Sequence, residues 1–201
     1  MKYYSLYLFV SCLLIQPISI SAQSTFQNGY VVTNENDTIF GQIKDRSAEP
    51  FGEIFKKVRM KKKWIFYKKY SPRSIKSYKI GDKTYESIWY DSYTELFSIF
   101  HISKANQGEK TFMRLAVDGE LKLYWKEYRD HANNDGYEIA IPFFKKTNSY
   151  EMVRVTQGVL GFKKKLLRNF FSDCPSIVEK IDNGDFEVPE QIALYYNSSC
   201  N

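Results

Sequence analysis

The chain has 201 residues, a formal net charge of +6 and a hydrophobic content of 43%. These values exclude an intrinsically disordered chain, which would combine low hydrophobicity with a high net charge, and they suit one domain with a sizeable core. Aromatic residues make up 17% of the chain, which favours β-structure because aromatic side chains pack well on pleated surfaces.

The first 22 residues have the pattern of a secretory signal peptide. Lys2 supplies a positive charge, Tyr3–Ile15 is largely apolar, and Ser19–Ala22 provides small residues for a cleavage site before Gln23. We therefore expect an exported protein that is periplasmic, outer-membrane-associated or extracellular.

Two alternatives to a cleaved signal peptide remain open at this stage. One is an uncleaved membrane anchor, although Gln16 and Pro17 interrupt the apolar run, which is short for a membrane span. The other is lipidation of Cys12. We expect no transmembrane segment after cleavage.

Apolar runs separated by turn residues predict antiparallel strands through the first half of the chain. The expected strands are Tyr30–Thr33, Thr38–Ile43, Val58–Met60, Trp64–Tyr67, Ser74–Ile80, Lys83–Trp89 and Leu96–Ile102. Asn34–Asp37 and Gly81-Asp82 have the composition of turns between them. We expect Lys61–Lys63 to form the turn between the Val58–Met60 and Trp64–Tyr67 strands.

The clearest hairpin signal is Thr111–Tyr128, where Asp118-Gly119 separates two apolar and aromatic runs. Asp-Gly readily adopts the positive φ angles of a two-residue type I′ turn. In that register one face carries Phe112, Ala116, Leu121, Leu123 and Trp125, and the other carries Met113, Leu115, Val117 and Tyr124 with Lys122 and Lys126. Neither face is cleanly polar, so we predict a central ribbon. We expect the Val159–Phe171 helix to cover one face and a curl of the sheet or a partner to cover the other.

Two more strands, Tyr137–Pro142 and Tyr150–Val155, precede a change to helical periodicity. We predict an amphipathic helix over Val159–Phe171, a second over Ser176–Ile181 and a third from Val188 to about Tyr196.

This order of strands followed by helices predicts an α+β fold. We expect a mostly antiparallel β-meander, with a curled or barrel-like sheet as one form, capped by two or three C-terminal helices. The expected domain is single and spans residues 23–201, β-rich over 23–156 and helical over 157–201.

Removal of the signal peptide leaves two cysteines, Cys174 and Cys200. An even pair in an exported chain predicts a disulfide. The alternative is two separate thiols.

Three parts of the chain resemble a group of small exported proteins of Bacteroidota that have no assigned function. The first is Gly29–Thr33 followed by Asp37–Gly41, the second is the Val117–Tyr124 hairpin, and the third runs from Phe162–Lys164 through Asp173–Pro175 to Tyr196-Asn197 and Cys200. The resemblance implies an envelope location. It carries no active site, because its motifs are turns and helix caps.

The strongest candidate binding surface is the basic and aromatic stretch Lys56–Tyr70. The residues expected to bind are Lys61, Lys62, Lys63, Trp64, Lys68, Lys69 and Tyr70. Cationic side chains interleaved with aromatic rings suit phosphate-bearing polymers or anionic glycolipid headgroups. The alternative is a solvated β-turn with its aromatic rings in the core, since charge on an exposed edge also prevents aggregation.

The sequence offers little catalytic or metal-binding chemistry. The two histidines, His101 and His131, have no ligand partner at metal-binding spacing, and Asp130–Gly136 fails as a calcium loop because its bidentate position falls on Pro142. Cys174 paired with a histidine could form a nucleophilic thiol, but it more simply precedes a helix as a structural cysteine. We expect no cofactor and no nucleic-acid partner.

Our leading hypothesis is a non-enzymatic binding or accessory protein that contacts an anionic envelope surface, a glycan or an outer-membrane protein partner. The alternative is a hydrolase that acts on envelope glycans through aspartate and glutamate. Its carboxylates would be Glu86, Asp91 and Glu95, which lie near Trp89, Tyr90 and Tyr93.

Overall fold

The computed structural model describes residues 26–46, 57–63, 66–129 and 138–200. The expected signal peptide, Trp64, His131 and the Asp130–Gly136 loop lie outside the described residues. The helices among the described residues are too short or too polar to span a bilayer.

The described strands form one antiparallel sheet. They are β1 Gln27–Thr33, β2 Thr38–Lys44, β3 Val58–Lys63, β4 Phe66–Tyr70, β5 Ile75–Ile80, β6 Lys83–Glu95, β7 Ser98–Ile102, β8 Glu109–Val117, β9 Leu121–Arg129, β10 Glu138–Lys146 and β11 Glu151–Arg154.

Strand β6 organises the sheet because it pairs with β5, β7 and β8. The pairings β6–β8–β9–β10–β11–β7–β6 form a closed ring, so these six strands make a barrel. The remaining strands continue outward from β6 in the order β5–β1–β2–β3–β4. The predicted α+β fold with a mostly antiparallel sheet is confirmed, and the barrel-like form is the one observed.

The barrel wall has an opening beside β6. Pairing with β5 ends at Glu86 and pairing with β7 begins at Asp91, while β8 occupies the opposite edge along Thr84–Tyr90. On the edge shared by β5 and β7, Ser87–Tyr90 therefore has no paired strand among the described residues.

Three α-helices follow the barrel: α1 Lys164–Phe170, α2 Pro175–Asn183 and α3 Pro189–Ser199. The predicted helix over Val159–Phe171 is too long. Gly158–Leu160 is a 3₁₀ turn, and Gly161 has a φ of 77° that ends it. A β-bridge between Thr156 and Phe162 closes this turn, and α1 begins two residues after Phe162.

The helices cover one face of the barrel. Their buried residues, including Leu167, Ile177 and Ile192, join Leu121 and Leu123 of β9 in one apolar core. Helix α3 lies against β8 and β9, whereas α1 packs against β11. A helix therefore covers the central hairpin as predicted, but that helix is α3 and not the one predicted over Val159–Phe171.

The predicted disulfide is confirmed. Cys174, which immediately precedes α2, is bonded to Cys200, which immediately follows α3, with their Cα atoms 5.6 Å apart. The bond fixes the start of one helix to the end of the next.

The β8–β9 hairpin is confirmed, but its turn is not the predicted type I′ turn. Asp118–Glu120 links the strands, and Gly119 has a φ of 149°. A Cβ atom there would lie 2.4 Å from Nδ2 of Asn197 in α3. The Asn197 side chain accepts a hydrogen bond from the Leu121 N–H at 2.7 Å and donates one to the Leu121 carbonyl at 3.0 Å.

A bulge between Leu115 and Val117 changes the facing of the last residue of β8. Val117 consequently lies in the helix-covered core with Leu123, not on the face of Met113 and Tyr124 as predicted. The rest of the predicted second face points into the barrel, where Met113 and Tyr124 pack with Phe143 and Met152.

The outer strands are joined to the barrel by a buried charge cluster around Arg46. Its guanidinium donates to Glu127 of β9 at 2.9 Å, to the Phe112 carbonyl of β8 at 3.1 Å and to the Tyr78 hydroxyl of β5 at 3.1 Å. It also lies 4.8 Å from the ring centroid of Tyr85. One side chain therefore connects the segment after β2 to three strands of the sheet.

The predicted strand Leu96–Ile102 begins two residues later than expected, because Leu96 and Phe97 form the turn between β6 and β7 with φ angles of 45° and 67°. The left-handed backbone region costs a bulky residue about 1–2 kcal/mol. Turns are therefore predicted at glycine, asparagine or aspartate, and Leu96-Phe97 gave no such signal.

Candidate functional site

An open cleft of about 690 Å³ lies at the opening in the barrel wall. It is bordered by the unpaired edge of β6 on one side and by the β10–β11 turn, Thr147–Tyr150, on the other. Side chains from the barrel interior form its floor. The lining residues are Ser87, Ile88, Trp89, Ser103, Lys110, Lys122, Tyr124, Lys145, Thr147, Asn148, Ser149 and Tyr150.

Strand pairing brings two lysines together at the floor of this cleft. Lys122 of β9 is the direct cross-strand partner of Lys145 of β10. Like charges directly opposite each other in a sheet are destabilising. An anion between or beside them would relieve that repulsion.

Glu86 of β6 supplies part of the compensating charge. The Lys122 ammonium donates to both carboxylate oxygens of Glu86, at 3.0 and 3.2 Å, and lies 3.1 Å from Asp118. The Tyr124 hydroxyl also donates to Glu86. Lys122 is therefore well paired.

Lys145 differs from Lys122 in its partners. Its ammonium donates to the backbone carbonyl of Lys146 at 3.2 Å, and among the described residues no carboxylate lies within salt-bridge distance of it. The side chain is half-buried. A partly desolvated ammonium that donates to a single carbonyl retains donors for a ligand.

The electrostatics agree with this geometry. Burial lowers the pKa of Lys145 and the positive charge of Lys122 lowers it further, against the opposing effect of Glu86. Burial alone would lower the pKa of Lys122 as well, but Glu86 and Asp118 raise it above its usual value. Burial and Glu86 raise the pKa of Tyr124, which keeps its hydroxyl protonated as a donor.

The rim of the cleft adds polar and aromatic groups. Tyr150 is 63% exposed, and the Lys104 ammonium lies 5.8 Å from the centroid of its ring. The Arg73 guanidinium lies 5.1 Å from the centroid of the Trp89 ring. Lysines, small hydroxyl or amide side chains and aromatic rings around one concavity are suited to bind a polar, negatively charged molecule.

The residues predicted to bind from the sequence lie elsewhere, on the outermost hairpin β3–β4. Lys61 and Lys62 belong to strand β3 and are exposed, so the prediction that Lys61–Lys63 forms the turn is wrong. Lys68 and Lys69 are exposed on β4, and Tyr70 is buried.

Some aromatic rings of this hairpin are exposed, as a binding surface would require, and one is in the core, as the solvated-turn alternative requires. Phe66 is 67% exposed and Tyr67 is 47% exposed, whereas Tyr70 packs in the core. The ammonium groups of Lys69 and Lys68 lie 5.9 Å from the Tyr67 centroid and 4.7 Å from the Tyr70 centroid. The basic hairpin thus ends the strand order of the sheet, and none of its residues lines the cleft.

The carboxylates of the alternative hydrolase hypothesis are not brought together. Glu86 points into the barrel toward Lys122, whereas Asp91 accepts a hydrogen bond from Gln107 of the loop before β8 and lies on the opposite face of β6, as strand alternation requires. Glu95 is exposed near the end of the strand.

His101 and Cys174 take structural positions. The His101 ring is hydrogen-bonded through Nδ1 to the Tyr90 hydroxyl at 2.9 Å and packs edge-on to Phe143. Cys174 is bonded to Cys200 and has no free thiol. Among the described residues, no cluster of three potential metal ligands is present.

Sequence reasoning missed Lys145 and did not single out Lys122 as a site residue. The available signal was the pair Lys122 and Lys126 on a face otherwise made of Met113, Leu115 and Tyr124, because a lysine that alternates with core residues must find a partner or reach a cavity. The pairing of β9 with β10, which brings Lys145 opposite Lys122, had no local signal.

Comparisons of the chain with protein-family models, curated proteins and solved structures found no match.

Proposed function

We propose that this chain is a non-enzymatic binding protein that holds an anionic segment of a glycan in the cleft of its barrel wall. The proposal rests on one observation: Lys145 lies opposite Lys122 at the floor of an open cleft, and its ammonium donates to a single backbone carbonyl.

The chemistry of the lining supports a sugar acid as the ligand class. A carboxylate or sulfate would accept hydrogen bonds from Lys145 and would reduce its repulsion with Lys122. The Ser87 hydroxyl donates to the Pro72 carbonyl and the Thr147 hydroxyl donates to Glu120, so both oxygens keep lone pairs that can accept from sugar hydroxyls. Tyr150 offers an exposed ring at the rim. The proposal includes export of the chain, because export would bring the cleft into contact with acidic glycans outside the cytoplasm.

The test measures binding of a galacturonic acid oligosaccharide and of the neutral galactose oligosaccharide of the same length by isothermal titration calorimetry. We expect the acidic oligosaccharide to bind and the neutral one to bind at least about tenfold more weakly, because a hydrogen bond to a charged group contributes about 1.5–3 kcal/mol. The substitution Lys145→Gln should remove most of that difference.

The matched control is Lys61→Gln, on an exposed lysine of the basic hairpin. It should leave the affinity within about twofold, since exposed charges contribute little. Equal affinity for the two oligosaccharides would contradict the proposal, as would a greater loss in the Lys61 variant than in the Lys145 variant, which would move the site to β3–β4.

A further inference from the structure

The β6–β7 hairpin projects beyond the barrel. Pairing of β6 with β8 ends at Tyr90, and pairing of β7 with β11 ends at His101. Among the described residues, Tyr93–Phe100 therefore pairs only with itself. At 3.3 Å per residue this two-stranded ribbon extends about 13 Å from the wall.

The end of the ribbon is apolar and fully exposed. Leu96 and Phe97 form the turn and are 87% and 102% exposed. Turns of this geometry normally contain Asn or Gly, because positive φ angles disfavour larger side chains. The chain thus presents two large apolar side chains at a position where small polar residues would give a more stable turn.

Apolar side chains are exposed on both faces of the ribbon as well. Tyr93 and Phe100 stack on one face with centroids 5.4 Å apart, and they are 45% and 40% exposed. Ile99, on the other face, is 64% exposed. A flat protein surface could cover one face, whereas a medium that surrounds the ribbon would cover the tip and both faces together.

We propose that the β6–β7 hairpin inserts its Leu96-Phe97 tip into the surface of a lipid bilayer. The turn enters the acyl region, and the aromatic pair Tyr93 and Phe100 lies behind it at the level of the headgroups, where aromatic side chains are favoured. This anchoring would hold the molecule at a membrane independently of the cleft.

The charge of the hairpin selects the kind of headgroup. Residues 91–102 contain two acidic residues, Asp91 and Glu95, and no lysine or arginine. Glu95 lies directly before the turn, so an anionic headgroup would repel it and the ammonium of a zwitterionic headgroup would attract it. The surface that fits the hairpin is therefore a zwitterionic bilayer such as phosphatidylcholine or phosphatidylethanolamine.

The experiment measures co-sedimentation of the purified chain with phosphatidylcholine vesicles. The test variant is Leu96→Asn/Phe97→Gly, which installs a favourable type I′ turn and removes both apolar side chains. We expect its partition coefficient to fall at least about 30-fold, given the apolar area withdrawn from the bilayer, while its thermal stability stays equal or rises. The matched control is Phe40→Ser, which removes a 77% exposed aromatic ring from β2 and should change partitioning less than about twofold.

A second measurement follows insertion directly. Phe97→Trp should give a blue-shifted emission with phosphatidylcholine vesicles, and the shift should be insensitive to salt because apolar burial is not screened. Failure of the parent chain to partition would overturn the proposal, as would unchanged partitioning of the Asn-Gly variant. Binding that requires anionic lipid and disappears at high salt would also overturn it and would point to the basic hairpin β3–β4.

Discussion

Arg46 shows how much one buried side chain can contribute to this architecture. Its side chain is only 7% exposed, and it contacts Glu127, Tyr78 and the Phe112 carbonyl. Burial alone would lower the pKa of Arg46, but the two tyrosines and two carboxylates around it raise the pKa above its usual value. The guanidinium is therefore charged at every practical pH and must remain paired.

We expect Arg46→Met to lower the free energy of unfolding by about 3 kcal/mol, because Asp45 and Glu127 lose a buried cation and Glu127 keeps the longer ion pair, 3.4 Å, with the Arg114 Nε. Urea denaturation followed by tryptophan fluorescence measures the change. Lys62→Met, on an exposed strand position, is the control and should stay within about 0.5 kcal/mol. A loss below 1 kcal/mol for Arg46→Met would show that the outer strands do not depend on this cluster.

His101 makes stability depend on pH. Burial, with the positive charges of Lys163, Lys126 and Arg154, lowers its pKa to about 4 from 6.5. The unfolded chain therefore binds a proton below pH 6.5 that the folded chain takes up only near pH 4, so stability falls as the pH drops through this window.

We expect this histidine to account for a loss of about 1 kcal/mol between pH 7 and pH 5, allowing for solvent screening of a half-buried ring. The measurement is the difference in the pH dependence of unfolding between the parent chain and His101→Gln. Proton NMR titration of the His101 ring provides the direct check. An ordinary pKa near 6.5 would refute the prediction.

At the scale of single elements, the disulfide joins the two longest helices. It closes a segment of 26 residues between Cys174 and Cys200. In the chain-entropy description, a loop of this length stabilises the folded state by about 3 kcal/mol. The bonded ends are also the points at which α2 starts and α3 finishes.

We therefore expect the double variant Cys174→Ser/Cys200→Ser to unfold at a lower urea concentration, with a loss of about 2–4 kcal/mol. Because Cys174 is buried, the single variant Cys200→Ser separates the loss of the bond from the loss of packing at Cys174. Identical stability of the oxidised and reduced parent chain would contradict this role for the bond.

The elements that could be predicted from the sequence are those with a local signal. The alternation around Tyr78 and Tyr85, the Asp118-Gly119 turn and the prolines that begin α2 and α3 each identify their element without tertiary information. The predictions that were wrong concerned features that depend on groups distant in the sequence. The form of the turn at Gly119 is set by Asn197, nearly eighty residues away.

Two other features were predicted wrongly because the structure departs there from local conformational preference or regular alternation. Leu96-Phe97 forms a turn with residues that disfavour it, and the bulge before Val117 moves that residue to the opposite face. The cleft itself depends on register, which places Lys145 opposite Lys122. A shift of one residue would send both side chains to the other face, and local periodicity carries no information about register.

At the scale of the whole molecule, the net charge of +6 is unevenly placed. Lysines are concentrated on the β3–β4 hairpin and at the cleft, whereas the projecting β6–β7 hairpin is acidic and apolar. The molecule therefore offers chemically different surfaces. Our two proposals accordingly assign a lipid contact to the β6–β7 hairpin and an anion to the cleft.

Strand β6 is shared by the barrel and the outer strands, and this has a consequence for folding. The edge of β5 that pairs with Lys83–Glu86 stays unsatisfied until β6 joins it. The ring closes only when β11, near the end of the sheet in chain order, pairs with Ile102 and His101 of β7. An incompletely folded chain therefore carries an open strand edge, and pairing of that edge with a second chain is its expected route to aggregation.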